Sequence, residues 1–257
     1  MQMKQRQLKL RGPIIIGALL LCNQLIWSAE AFGKSENSPQ NPRVIIILVD
    51  MSDSANQARP TVYKEAVEKI YQNLRQGDRV VVGAITGRSY IDFKPTVDKE
   101  IPKKTVWENR LQFERNLTNT KEKIRSELNK LLSRKRGSSL TEILDSLNIA
   151  DTIFHDEKQR QKILVILSDM IQDSKEYHFD KDKITDEYIN NVITYRQKNN
   201  LMPNLTGVKV YVAGASAADS NRFRVVQTFW ARYFTKSGAD FSPHRYGHSL
   251  INFENGS

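Results

Sequence analysis

Residues Arg43 to Ala55 read RVIIILVDMSDSA. Val44 to Val49 is an unbroken apolar run, β-branched at every position but Leu48. Such a run suits a strand covered on both faces, as in a parallel sheet. It ends at a carboxylate, Asp50, followed by Ser52 and Ser54 at alternate positions. In open α/β sheets, ligands gather just beyond the carboxyl ends of strands, and Asp50, Ser52 and Ser54 sit at such an end.

The rest of the chain repeats the alternation. Val62, Tyr63, Ala66, Val67, Ile70 and Leu74 recur at helical spacing after Pro60, and Gly77-Asp78 closes that helix. Arg79 to Thr86 reads as a strand, and Ser89 to Phe93 as a short edge strand folding back after Gly87-Arg88. Ile124, Leu128, Leu131 and Leu132 mark an amphipathic helix ending in Arg134-Lys135-Arg136, where the helix dipole favours positive charge. A helix follows from Thr141 to Phe154, then the strand 162–169 (KILVILSD), ending in Asp169. A helix through Tyr188, Val192 and Tyr195 leads to the strand 207–214. The next helix carries Phe223, Val226, Phe229, Trp230 and Tyr233 and is closed by Gly238, and Ser249 to Phe253 reads as the last strand. Strands alternating with helices imply an α/β class, a doubly wound, mostly parallel sheet flanked by helices in a single domain.

The D-x-S-x-S pattern at Asp50, Ser52 and Ser54 resembles the metal-ion-dependent adhesion site of von Willebrand factor A domains. Two further segments match in order and approximate spacing: Gly137-Ser138-Ser139-Leu140-Thr141, similar to the family's threonine loop, and the strand end at Asp169. The resemblance spans about Arg43 to Phe253. It implies that Ser52, Ser54 and Thr141 bind a divalent ion directly, with Asp50 and Asp169 orienting it or acting through water. Mg²⁺ or Mn²⁺ is the implied cofactor, since hard cations take about six oxygen ligands. Met170 stands where the family more often has glycine. The implied function is a protein-binding module whose partner offers a carboxylate to the metal. A metal-free A-domain scaffold is the alternative. A metal-dependent phosphohydrolase, with Asp53 or Asp173 as candidate base or nucleophile, is the enzymatic rival. The ligand set has no base or nucleophile patterned beside it, so no enzyme is expected.

Residues 1–11 carry Lys4, Arg6, Lys9 and Arg11 and no acid, and Gly12 to Ala29 contains no charged residue. Ala29-Glu30-Ala31 then offers small residues for cleavage, so residues 1–31 read as a secretory signal cut after Ala31. The alternative is an uncleaved membrane anchor through residues 12–29. Residues 32–42 are a polar linker, 43–253 the domain and 254–257 a tail. The protein is thus expected to be exported, periplasmic or secreted. Cys22 is the sole cysteine and lies in the leader, so the body holds no disulfide and no thiol nucleophile.

The formal net charge is +10, of which the first 31 residues supply +3. A basic surface favours anionic partners, but no nucleic-acid motif accompanies it. Residues 94–120 are the least patterned. Leading toward the threonine loop, they are expected to edge the metal face, with Trp107 packed locally or, alternatively, exposed for contact. His244 and His248 are four apart, but Pro243 and Gly247 exclude the helix that zinc ligation would use. Asp180, Asp182 and Asp186 fail the calcium-loop pattern because Thr185 stands where its glycine is needed.

Overall fold

The structure, a computed structural model, describes residues 41–52, 59–134, 137–251 and 253–254. The signal or anchor, most of the linker, Asp53, Ser54 and Lys135-Arg136 lie outside the described residues.

A six-stranded sheet has the order β3-β2-β1-β4-β5-β6. Its strands are β1 (Arg43–Asp50), β2 (Arg79–Ile85), β3 (Val97–Glu100), β4 (Gln161–Leu167), β5 (Val208–Ala213) and β6 (Tyr246–Gly247). All pairings are parallel except β2 with β3. β1 is buried at every position and pairs with β2 on one side and β4 on the other. The chain winds outward from β1 in one direction, then crosses to β4 and winds the other way. The switch point therefore lies between β1 and β4, at Asp50 and Asp169.

The β1 side chains alternate between two cores. Ile45, Ile47 and Val49 face α1 (Arg59–Gln72) and α3 (Arg110–Leu132), whose inner stripes supply Tyr63, Val67, Ile70, Ile124 and Leu128. Val44, Ile46 and Leu48 face α4 (Ile143–His155), α5 (Asp186–Lys198) and α6 (Ser220–Lys236). On that side Phe179, Phe229, Trp230 and Tyr233 form an aromatic cluster, with Phe179 and Phe229 edge to face at 4.5 Å between ring centres.

Several expectations are corrected. Ser89 to Phe93 is not the edge strand: Ser89–Asp92 forms a four-residue helix, α2. Ser89 Oγ bonds back to Thr86, accepting from its N–H and donating to its carbonyl, which favours a turn over a ladder. The edge strand is β3, reached after Pro95, and it reverses direction against β2. The helix through Ile124 and Leu132 begins much earlier, at Arg110, and is capped by the Asn109 side chain. The last strand is Tyr246–Gly247, not Ser249 to Phe253; Leu250 and Phe253 instead join the core on the α1 side of the sheet, Phe253 against Tyr211 of β5. Tyr195 is exposed rather than part of the inner stripe of its helix.

Trp107 does not pack locally: it is 96 % exposed. Nor does its loop edge the face expected to hold a metal. Because β3 is antiparallel, it returns the chain to the amino-terminal end of β2, where Glu100 pairs with Arg79. Residues 101–109 therefore lie at the opposite end of the sheet from Asp50. Among the described residues no helix is long and apolar enough to cross a membrane.

Candidate functional site

Asp50 closes β1 fully buried. Its Oδ1 accepts the Ser52 N–H at 2.9 Å, a turn that bends the chain off the sheet, and its Oδ2 accepts the Ser168 hydroxyl at 2.8 Å. The carboxylate is therefore held from its own loop and from the end of the neighbouring strand. Ser52 is buried and bridges through its backbone to Ser138, tying the first loop to the glycine-serine loop.

The segment after β4 is shaped by Ser168, Asp169 and Met170. The Ser168 Oγ also accepts the Met170 N–H at 2.9 Å, and Asp169 Oδ1 accepts the Ile171 N–H at 2.9 Å. Met170 adopts φ 68, the left-handed region that glycine enters without cost. A buried thioether is tolerated there because the Met170 carbonyl accepts Trp230 Nε1–H at 2.8 Å and the side chain joins the α4–α6 core. The loop thus keeps a glycine-like turn without the glycine. Gly214, after β5, also has positive φ, and a Cβ there would lie 3.2 Å from the Ser168 carbonyl oxygen.

Arg59, the first residue of α1, is 1 % exposed. Its Nη2 pairs with Asp169 Oδ2, and its Nη1 lies 3.8 Å from Asp50 Oδ2. The two carboxylates that the sequence placed on separate strand ends share one guanidinium. Sequence reasoning missed this residue, although a signal was present. A cation in the first turn of a helix opposes the macrodipole, so Arg59 needs a tertiary partner to sit there.

Thr141 is buried and precedes α4 rather than opening it as a helical residue. Its backbone pairs with Asp173 in both directions, at 2.7 and 3.0 Å. Among the described residues its hydroxyl has no hydrogen-bond partner. Ser139 is exposed, and the Ser138 hydroxyl is engaged, donating to the Leu140 carbonyl at 2.5 Å and accepting the Gly87 N–H at 2.7 Å. The Glu142 carboxyl next to Thr141 is pushed up by burial, with Asp145 adding to the effect. A depression of about 530 Å³ opens between Met51, Thr86–Arg88 and Gly137–Leu140.

The donor set is therefore two carboxylates and hydroxyls rather than a cluster of ligating acids and histidines; among the described residues no three His, Cys, Asp or Glu side chains gather in that way. Asp173, a candidate for the enzymatic rival, lies with Oδ1 2.6 Å from His178 Nδ1. Asp182 accepts the His178 N–H and the Tyr188 hydroxyl, and Asp186 pairs with Arg232, so these acids have structural partners. Pro243–Arg245 is a single 3-10 turn and His248 follows β6, as their prolines and glycines imply.

No protein-family model matches the chain, and no curated protein matches it. Among solved structures it is similar to the pilus adhesin SpaC from Lactobacillus rhamnosus GG, with 12% identity over 81% of this chain and a TM-score of 0.46. The chain spans 28% of the length of that adhesin. It is also similar to a von Willebrand factor type A structure from Catenulispora acidiphila (13% identity, 77% of this chain, 42% of that one, TM-score 0.38). A third is the conserved hypothetical protein BatB from Bacteroides thetaiotaomicron, at 14% identity, 67% of this chain, 66% of that one and TM-score 0.38. These likenesses are of fold.

Proposed function

We propose that the chain is a von Willebrand factor A-like protein-recognition module whose partner docks on the rim where β1 and β4 end. The observation that carries this reading is Arg59 lying against both Asp50 and Asp169. Two carboxylates from distant segments form one cation-binding pair at the switch point of the sheet. A recognition site of this kind needs its anionic ligands preorganised, and here Ser52, Ser168 and Ile171 hold them by hydrogen bonds.

The same residues fit a divalent ion in their chemistry. Ser52, Ser54 and Thr141 would hold Mg²⁺ or Mn²⁺, with Asp50 and Asp169 orienting it, and the buried Thr141 hydroxyl is available for that role. A bound ion would offer a coordination position to a carboxylate of the partner protein. Arg59 sets the condition: a guanidinium and a divalent cation repel, so Arg59 must leave Asp50 and Asp169 for the ion to enter. With Arg59 in place, the rim is the metal-free form of the same recognition surface. The reading is one of binding, without turnover.

Melting temperatures in chelator and in millimolar Mg²⁺ or Mn²⁺ test it. A ligand that binds only the folded state stabilises it by about 2.7 kcal/mol at 100 times its Kd. The rise should be larger in Arg59→Gln than in wild type, and absent in Asp50→Ala. No rise in either wild type or Arg59→Gln would remove the metal from the reading and leave the arginine-filled rim.

A further inference from the structure

The end of the sheet that carries Asp50 also carries the depression of about 530 Å³, a size within the range of ligand pockets. β2 runs parallel to β1, with Asp50 in register with Ile85, so the segment after β2 emerges beside Asp50. Three loops line the depression: Met51 after β1, Thr86–Arg88 after β2, and Gly137–Leu140 before α4. Among the described residues Arg88 is the one charged side chain in that lining, and no acid belongs to it.

The segment after β2 is pinned to its neighbours. The Gly87 N–H donates to Ser138 Oγ at 2.7 Å, and the Glu142 N–H donates to the Thr86 carbonyl at 3.0 Å. A Cβ at Gly87 would lie 2.7 Å from the Leu140 Cβ, so glycine lets the two loops close on each other. Ser89, the first residue of α2, is buried and bonded back to Thr86. Burial pushes the Glu142 carboxyl up, and a backbone hydrogen bond from Ser89 draws it the other way, tying α2 to the start of α4. On this pinned turn Tyr90 and Ile91 are nevertheless 67 % and 72 % exposed. Apolar side chains presented on a preorganised turn lose less freedom on docking than those on a loose loop.

Resting on the reading of the rim as a protein-recognition surface, we propose that the depression takes a segment of the partner protein in which an acidic residue adjoins a bulky apolar one. The acidic side chain meets Arg88, and the apolar side chain packs on Met51, Leu140 and the exposed pair of α2. Charge selects the occupant. A lining with a guanidinium and no acid repels a basic segment, and a guanidinium takes a carboxylate through two parallel hydrogen bonds. Apolar contact and an arginine are also the combination that concentrates binding energy in protein interfaces. This contact is separate from any carboxylate given to a rim ion, and it needs no metal.

The test selects a phage-displayed random-peptide library on the immobilised full chain in chelator. Enriched peptides are then synthesised and their affinities measured for wild type, Arg88→Glu and Tyr90→Ser/Ile91→Ser, with circular dichroism confirming the fold of each. The enriched sequences should pair Asp or Glu with an adjacent Trp, Phe, Leu or Ile, and each variant should weaken them roughly tenfold or more. Enriched peptides that lack this pairing, affinity unchanged in either variant, or no enrichment at all overturns the proposal. So does self-association of the chain that Tyr90→Ser/Ile91→Ser removes, since it gives the surface to a second copy. The rim reading fails separately. Peptides that distinguish both variants uphold the depression even when Mg²⁺ gives no rise in melting temperature. A Mg²⁺-dependent rise with peptides indifferent to both variants keeps the rim and removes the depression.

Discussion

Two buried arginines lie near the two ends of β1, and they differ in how their charge is met. Arg43, at its start, is fully buried and engages Asp78 with two nitrogens, Nε at 3.1 Å from Oδ1 and Nη2 at 2.5 Å from Oδ2. Asp78 also accepts the backbone N–H groups of Arg43 and Arg75, and Glu254, 3.8 Å from Arg43, has its own partner in Lys209. Each charge there has a counter-charge, and both oxygens of Asp78 accept hydrogen bonds. Arg59, at the far end, faces two carboxylates with one guanidinium. The first arrangement is closed and holds the fold together. The second sets two carboxylates from distant segments against one guanidinium where β1 and β4 end.

The largest effect should come from breaking the closed pair. Arg43→Ala or Asp78→Ala leaves a buried charge uncompensated and should cost about 3–5 kcal/mol, read by urea unfolding, with no recovery on adding Mg²⁺. Arg59→Ala should cost less, about 2–3 kcal/mol in chelator, because Asp50 keeps its hydrogen bonds from Ser52 and Ser168 and Asp169 keeps the one from Ile171. Its loss should be largely restored by millimolar Mg²⁺. Equal behaviour of the two variants toward Mg²⁺ would erase the distinction drawn between the two ends.

Thr141→Ala should change stability in chelator by less than about 1 kcal/mol, since its hydroxyl makes no hydrogen bond among the described residues. It should nevertheless abolish the Mg²⁺-dependent rise in melting temperature, while Ser139→Ala keeps it. The reverse pattern would place the ligand at Ser139. The smallest effect belongs to Asp98 on β3. The hydrogen bond from the Arg79 guanidinium holds its carboxyl below the usual value. Its folded-state pKa is depressed, so its stabilisation is present above about pH 3.9 and is lost as pH falls through the lower folded value. Both partners are partly exposed, so Asp98→Asn should remove well under 1 kcal/mol and flatten the acid limb of stability only slightly.

Much of this was legible from local pattern. An apolar run such as Val44 to Val49 has few alternatives to a central strand, and the helices announced themselves by spacing. Asp50 and Asp169 were legible as strand-end carboxylates because a charge that stops an apolar run must sit where the sheet stops. Ser52 was legible from its place just past the end of β1, and Thr141 only through the resemblance to a known motif; the structure places both, buried, on the rim loops. The roles of Ser168 and Gly214 were not legible, since each depends on a close approach between segments distant in the chain.

The sequence by itself determined the α/β alternation, the buried β1 and the carboxylates at the ends of β1 and β4. These follow from burial and periodicity, which act over a few residues at a time. Only the tertiary structure decided that Arg59 is the counter-ion of those carboxylates, that Met170 supplies a glycine-like turn, and that Trp107 stands exposed at the opposite end. Counter-charge and direction are set across space: the partner of a buried charge comes from whichever segment the sheet order brings near. The end to which a loop returns depends on whether the strand before it runs parallel or antiparallel to its neighbour.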